Sequence, residues 1–114
     1  MIRVSLMNKQ IIAAMMTTPF KVISKGNVDS MGDREDDSTR TLFGYVQETI
    51  QTVINNEGKE ELSNLQIYIT GEDGVSISPD SEITCLDHVN QRIIKRAIYY
   101  NKNSVPDVGV LYLP

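Results

Sequence analysis

The second half of the chain contains several short segments in which apolar and polar residues alternate, and turn signals separate these segments. The segment LQIYIT alternates apolar with polar residues from Leu65 to Thr70, which is the pattern of a half-buried strand. The segments ITCL at 83–86 and VGVLYL at 108–113 are similar. Strands separated by turns about every eight to twelve residues are typical of small barrels and sandwiches. The sequence therefore predicts a mainly β fold, a small antiparallel β-barrel or sandwich.

Turn signals divide these predicted strands. The stretch GEDG at 71–74 is expected to end the strand 65–70 as a hairpin or loop, with Val75 and Ile77 in a short extended piece. The stretch 78–81, Ser-Pro-Asp-Ser, is predicted to be a turn, because proline has a fixed φ and keeps the preceding residue out of the helical region. Another turn is predicted at 87–90 and a third within NKNSVPDVG at 101–109.

In two segments the apolar residues recur at a spacing that would also place them on one face of a helix. The first set is Leu42, Val46, Ile50 and Val53, and the second is Leu86, Val89, Ile93 and Ala97. For RIIKRAIYY at 92–100 we favour a strand, since β-favouring residues dominate it and turn signals flank it. For 49–55 both a helix and a strand stay open, so the predicted fold allows one short helix beside the strands.

The first third of the chain is predicted to hold a strand at 3–6 and a long exposed loop at about 24–41. The loop sequence is rich in acidic and small polar residues and offers almost nothing to bury. Loops of this length inside a small domain tend to be functional or mobile. A chain of 114 residues can bury a single core, so we expect one domain over 1–114.

Charge and cysteine content narrow the function classes. Eleven basic residues against fifteen acidic ones give a net charge of −4, and the basic residues are scattered. Tight nucleic-acid binding, which needs clustered Lys and Arg, is therefore not expected. The single cysteine excludes an internal disulfide, and no stretch near the start is long and apolar enough for a membrane span. We expect a cytosolic protein without a membrane partner.

The sequence offers little catalytic chemistry. His88 is the only histidine, and Cys85 is the only cysteine. A Cys85/His88 nucleophilic pair is weighed against a solvated His88 and a core Cys85, and the second interpretation is favoured. Metal centres need several ligands at defined spacing, and GEDG lacks the ligands of a calcium loop. We predict no enzyme activity, no metal and no cofactor.

The order of several motifs resembles a known family. These motifs are RVSLMNKQ, GYVQ, LQIYITGEDGVSISPDSEITC, RIIKRAIYY and VGVLYLP. Together they resemble the head-closure proteins of tailed bacteriophages. These proteins are also called head-completion proteins or stoppers of the head-to-tail connector (the neck), and sometimes minor capsid proteins. The resemblance implies that Ser78, Pro79 and Asp80 form a corner leading into a hairpin.

The family implies a structural role in the virion. Its members are small β-barrels that form a homo-oligomeric ring beneath the portal and adaptor, connect to the tail and retain packaged DNA. For this chain the resemblance implies a six- or twelve-fold ring made in the host cytoplasm and located in the virion. Double-stranded DNA would pass nearby without specific binding. The expected channel-facing or partner loop carries Asp29, Asp33, Glu35, Asp36 and Asp37.

A ring of this kind uses heterologous contacts, for which exposed sheet edges and terminal strands are suited. The residues expected at the subunit or partner interface are Arg3, Val4, Val108, Val110 and Tyr112. Two alternatives remain. One is a tail terminator or tail-completion ring protein, whose fold is usually α+β. The other is a small acidic inhibitor or immunity-type protein that binds a basic partner through DREDD.

Overall fold

The computed structural model describes residues 15–26, 31–32 and 37–114. The described part is mainly β, with 59% of residues in strands, which confirms the predicted fold class. The strands are β1 (Thr18–Ser24), β2 (Ser38–Gln47), β3 (Gln51–Ile54), β4 (Glu60–Ser63), β5 (Leu65–Thr70), β6 (Glu82–Cys85), β7 (His88–Arg92), β8 (Lys95–Tyr100) and β9 (Pro106–Leu113). A short helix, α1, spans Gly71–Ser76.

Seven strands form a single antiparallel sheet that curls into a half-barrel. Their order is β7-β6-β1-β2-β5-β9-β8, and β3 and β4 form a separate two-stranded hairpin. The two edge strands, β7 and β8, follow each other in the chain with only Ile93 and Ile94 between them. Both of these residues are buried. The chain therefore passes from one edge strand of the sheet directly to the other through Ile93 and Ile94.

The core lies on one face of the sheet. Alternation along β5 and β9 directs Leu65, Ile67 and Ile69 to the same side as Leu111 and Leu113, because residues paired across antiparallel strands share a face. The other buried members of this core are Phe20, Val22, Ile77, Ile83, Cys85 and Ile93. The alternation predicted for 65–70 is thus correct for its apolar residues. Gln66 differs, since it is fully buried on the opposite face.

Helix α1 replaces the loop that was predicted for GEDG and the extended conformation predicted for Val75. The Thr70 hydroxyl accepts a hydrogen bond from the Asp73 amide at 3.2 Å, which caps the first turn. The helix then packs on β9 through two glycines. A Cβ at Gly74 would lie 3.3 Å from the Cα of Gly109, so this close approach needs glycine.

The predicted corner at 78–81 is present. The Ser81 amide donates to the Ser78 carbonyl oxygen at 3.0 Å, and the Ser78 hydroxyl bonds to the Asp80 carboxylate. The corner leads into the hairpin of β6 and β7. The turn of this hairpin lies at Leu86 and Asp87, one residue earlier than predicted, and His88 already begins β7.

Both helical alternatives are wrong for the described residues. Leu42 and Val46 belong to β2 and Val53 to β3, while 95–100 forms β8, as favoured. The turn at 101–104 and the closing strand β9 were also predicted correctly. The loop expected at about 24–41 is shorter at both ends, because Ser24 belongs to β1 and residues from Ser38 belong to β2. The strand predicted at 3–6 lies outside the described residues.

Candidate functional site

The acidic segment proposed to face a channel or partner is described only in part. Asp29, Asp33, Glu35 and Asp36 lie outside the described residues. Asp37 is exposed immediately before β2, and its Oδ1 accepts a hydrogen bond from the Gly26 amide at 3.0 Å. This bond joins the two ends of the connection between β1 and β2.

The residues predicted at the C-terminal interface lie in an interior strand. β9 pairs with β5 on one side and with β8 on the other, so both of its hydrogen-bonding edges are occupied within the chain. Val108 and Val110 are buried and Tyr112 is half-buried. β9 therefore has no free edge to which a neighbouring strand could be added, while the prediction that Val108, Val110 and Tyr112 lie at an interface stays a prediction. Arg3 and Val4 lie outside the described residues.

The outer edges of the seven-stranded sheet belong to β7 and β8 instead. Each carries exposed apolar or aromatic side chains: Val89 on β7, and Tyr99 and Tyr100 on β8. An edge strand presents backbone N–H and C=O groups that a further strand can pair with. Among the described strands of this sheet, these two are the ones suited to strand addition.

The sheet face opposite the core carries a group of tyrosines. Tyr45 of β2 is paired with Tyr68 of β5, and their ring centroids are 5.8 Å apart. Tyr99 and Tyr112 share that face, since Tyr99 is opposite Val108 and Tyr112 is opposite Gln66 in the register. We call Tyr45, Tyr68, Tyr99 and Tyr112 the tyrosine face; they are four of the five tyrosines in the chain.

The side chains of the tyrosine face affect one another electrostatically. Tyr112 shares a side-chain hydrogen bond with Tyr99, and burial, with the neighbouring Tyr99, raises the pKa of Tyr112 to about 12. Burial also raises the pKa of Tyr68, with smaller effects of Tyr99 and Tyr45. Aromatic side chains with one polar end suit a surface that is apolar at its centre and wet at its rim. Tyr99 itself is 45% exposed.

The β3–β4 hairpin has one buried and one exposed face. Val53 and Ser63 point inward and are buried. On the other face, Thr52 is paired with Leu62 and Ile54 with Glu60, and all four side chains are exposed. We call Thr52, Ile54, Glu60 and Leu62 the hairpin outer face. Leu62 is 61% exposed and Ile54 48%, which is high for aliphatic residues that lie diagonally adjacent on two strands.

A buried polar network fastens this hairpin to the sheet. The Gln66 side-chain amide donates to the Thr49 carbonyl oxygen at 3.0 Å and to the Ser63 hydroxyl at 2.9 Å. The Ser63 hydroxyl in turn donates to the Leu113 carbonyl oxygen at 2.8 Å. The buried side-chain amide of Gln66 thus has hydrogen-bond partners. The network of Gln66, Ser63 and Thr49 fixes the hairpin against β5 and β9.

An open polar cleft of about 230 Å³ lies beside the hairpin, lined by Asn55, Asn56, Glu57, Glu61, Arg92, Ile93 and Ile94. Its main charged groups pair with each other: Arg92 donates to both carboxylate oxygens of Glu61, at 2.8 and 3.2 Å. The hydrogen bond from Arg92 lowers the pKa of Glu61. The charges of Arg92 and Glu61 are therefore matched to each other within the subunit.

The possible Cys85/His88 pair is disfavoured by burial. The two residues are opposite each other at the start of the β6–β7 hairpin. Cys85 is nevertheless part of the core, and burial, with the charge of Glu48, raises the pKa of its thiol. A nucleophilic cysteine needs a lowered pKa and access to solvent. Cys85 therefore behaves as a small core residue, as the sequence suggested.

The described residues include neither a cluster of metal-ligating side chains nor a membrane-spanning helix. Within 15–26, 31–32 and 37–114, His, Cys, Asp and Glu form no group able to hold a metal ion. No helix in these same ranges is long and apolar enough to cross a membrane.

The tyrosine face and the hairpin outer face were not predicted from the sequence. A signal for the first existed, since Tyr68 and Tyr112 alternate with core residues in predicted strands. Strand order is what brings Tyr68 and Tyr112 onto one surface with Tyr45 and Tyr99, and the sequence does not give that order. Comparison with known proteins adds no identification: no protein-family model matches the chain, and no curated protein is significantly similar to it.

Proposed function

We propose that this chain is a structural subunit of the head-to-tail connector, or neck, of a tailed bacteriophage. It would form a ring under the portal or adaptor, join head to tail and help retain packaged DNA. The observation that supports this most is the curled antiparallel sheet with one short helix, because the resemblance of the sequence implies a small β-barrel. The motifs GYVQ, LQIYIT and VGVLYL all lie on adjacent strands of that sheet: β2, β5 and β9.

The corner at Ser78, Pro79 and Asp80 agrees with the same interpretation. It follows helix α1 and leads into the β6–β7 hairpin, which is the place that the resemblance implies for it. Its contribution is conformational, since its hydrogen bonds are internal to the turn. The function proposed here needs no catalytic group.

The acidic segment has a proposed role of its own. Asp29, Asp33, Glu35, Asp36 and Asp37 would lie near the DNA channel, where a negative surface repels the polyanion and leaves its passage unobstructed. The exposure of Asp37 is compatible with this arrangement.

Two other functions are less well supported. A tail terminator or tail-completion protein usually has an α+β fold, whereas the helix described here spans only six residues. An inhibitor or immunity-type protein would bind a basic partner through the acidic segment. That role would be marked by strictly monomeric behaviour and a salt-sensitive complex with the partner.

The test is to remove the reading frame for this chain from the phage genome that carries it and to examine the particles by electron microscopy. We expect heads without attached tails that have lost DNA, alongside free tails. Supplying the intact chain from a plasmid should restore infectious particles. Full heads with normally attached tails, produced without the chain, would refute the proposal.

A variant separates loss of function from loss of folding. Supplying the chain with Asp29, Asp33, Glu35, Asp36 and Asp37 replaced by Asn or Gln leaves the described core unchanged. We expect this variant to be incorporated into particles but to support DNA release less efficiently. Incorporation is read by mass spectrometry of purified particles, and release by the rate at which DNA leaves them after triggering.

A further inference from the structure

We propose that the tyrosine face binds the hairpin outer face of a second copy of this chain. The choice of a second copy as the occupant rests on the proposed ring function. The contact joins two different surfaces, one on each subunit, and is therefore heterologous. A contact of this kind closes into a ring when the rotation between subunits allows it.

The tyrosine face has the character of a protein-binding surface. Tyrosine is enriched at interfaces because it buries a large apolar area and keeps a hydrogen-bonding hydroxyl. Phe43, two residues before Tyr45 on β2, lies on the same face of the sheet. Phe43 and Tyr99 are both about half exposed. Sequence-tolerant binding of single-stranded nucleic acid also uses aromatic surfaces, but it needs a positively charged groove beside them. Lys95 is the only Lys or Arg at a paired position on this face of β2, β5, β9 and β8.

The hairpin outer face supplies a complementary apolar surface. Ile54 and Leu62 protrude from a two-stranded sheet, and such a hairpin is only marginally stable unless it packs on something. Its inner face already packs on its own subunit through Val53. Docking of the outer face on tyrosine rings would remove both aliphatic side chains from water.

The charges on the two surfaces are opposite. Lys95 is paired with Tyr112 in the register, which places an ammonium beside the tyrosine face. Glu60 is paired with Ile54, which places a carboxylate on the hairpin outer face. Two nearby arginines are engaged within the subunit, since Arg92 binds Glu61 and Arg96 binds helix α1. An ion pair between Lys95 and Glu60 of the second copy thus fixes the direction of the contact.

The contact between the two surfaces is small, which limits its strength in solution. Four strands spaced about 4.8 Å apart give the tyrosine face a width of only about 14 Å. A stable interface buries roughly 800 Å² on each partner, which is more than a surface of this width offers. A single contact is therefore weak in solution, and neighbouring contacts strengthen it by raising the effective concentration to about millimolar.

Photo-crosslinking tests the proposal on the full chain. Tyr99 is replaced by benzoylphenylalanine, and the variant is mixed with isotopically labelled wild-type chain at about 1 mM, the effective concentration between adjacent sites. After irradiation, cross-links between different copies are mapped by mass spectrometry. We expect them to reach residues 52–62. Inter-copy cross-links that are absent, or that lie elsewhere, would overturn the proposal.

Matched variants test the apolar part of the contact. Leu62→Ser should reduce the yield of inter-copy cross-links by about tenfold, because the buried leucine side chain is lost. Val89→Ser is the control, since Val89 on β7 is about as exposed as Leu62 (59% against 61%) but lies outside both surfaces. Equal effects of the two substitutions would refute the proposal that the hairpin outer face binds the tyrosine face.

A charge exchange tests the ionic part. Lys95→Glu and Glu60→Lys should each lower the yield by roughly two- to fivefold, the range of an exposed ion pair. The two single variants mixed together should recover the yield, because each then supplies the charge that the other lacks. A mixture that behaves like the single variants would contradict the pairing.

The results also separate this inference from the function on which it rests. If particles form normally without the chain while the cross-links are found, the self-association stands and the connector role falls. If tails detach as proposed but Tyr99 cross-links to a different protein, or to none, the connector role stands and the second copy is the wrong occupant.

Discussion

The Arg96 guanidinium on β8 donates a hydrogen bond of 2.6 Å to the carbonyl oxygen of Ile77, the C-cap residue that follows helix α1. The same nitrogen lies 3.2 Å from the Gly74 carbonyl oxygen. The last turn of the helix contains no basic residue of its own, so its carbonyl groups are capped from the sheet. Arg40 of β2 adds a second cap by donating to the Ser76 carbonyl oxygen at 3.0 Å.

Replacing Arg96 by methionine should destabilise the protein. The substitution keeps much of the side-chain length but leaves helix carbonyl groups without a donor, so the free energy of unfolding should fall by about 2 kcal/mol. Urea denaturation followed by circular dichroism measures the change. Arg92→Met is the control, because Arg92 forms a surface ion pair and should matter much less. Equal losses for the two variants would contradict the capping role.

Gly71→Ala should also destabilise, for a steric reason. A Cβ at this position would lie 2.3 Å from the carbonyl carbon of Pro106, a backbone atom that has little freedom to move. We expect a loss of about 1–3 kcal/mol, the usual cost of an overpacked site. Glu72→Ala, at the next and exposed helix position, is the matched control and should be neutral. Thermal unfolding of both variants decides the point.

Gln66→Leu tests the buried polar network. The leucine is similar in size, but the Ser63 hydroxyl loses a donor and the Thr49 carbonyl oxygen loses its hydrogen bond. Unfolding free energy should fall by about 1–3 kcal/mol. Gln47, the half-buried residue opposite Gln66 on β2, provides the control as Gln47→Leu. If Gln66→Leu were as stable as this control, the network would not hold the hairpin.

The Cys85 thiol should react slowly with Ellman's reagent at pH 8. Its pKa is raised by burial, and reaction therefore waits for local or global opening of the fold. An exposed thiol introduced by Val89→Cys in the same chain should react at once and leave one slow thiol. Fast reaction of both thiols in the folded protein would place Cys85 outside the core.

Tyr112 should make the protein sensitive to alkaline pH. Its pKa is raised from 10.0 to about 12 in the folded state. Above pH 10 the unfolded chain loses this proton first, so the stability contributed by neutral Tyr112 is complete below pH 10 and is lost as the pH rises towards 12. Tyrosinate absorbance should show a late titration step that Tyr112→Phe removes.

The same variant gives a thermal readout. The difference in melting temperature between pH 9 and pH 11 should be smaller for Tyr112→Phe than for the wild-type chain. Tyr100→Phe, at an exposed position on the sheet edge, serves as the control and should keep the wild-type difference. A late titration step that persists in Tyr112→Phe would assign it to another tyrosine.

Strands that alternate strictly were predictable, and the helix was not. Alternation identified the strand at 65–70 and the closing strand from Val108, because side chains on a strand project to opposite faces in turn. GEDGVS contains two glycines in six residues, so its intrinsic helix propensity is poor. It becomes helical because Arg96, Arg40 and the close contact with Gly109 stabilise it, and those groups are distant in sequence.

The same difference between local features and features that depend on distant residues applies to the candidate surfaces. A mainly β chain, the corner at 78–81 and a buried Cys85 could be predicted, since these follow from neighbouring residues. The structure was needed to show that β9 is interior and that β7 and β8 are the edges. It was also needed to show that Tyr45, Tyr68, Tyr99 and Tyr112 share one face. Strand order depends on pairing between distant segments, such as Leu65 with Leu113, and local periodicity carries no information about which strands pair.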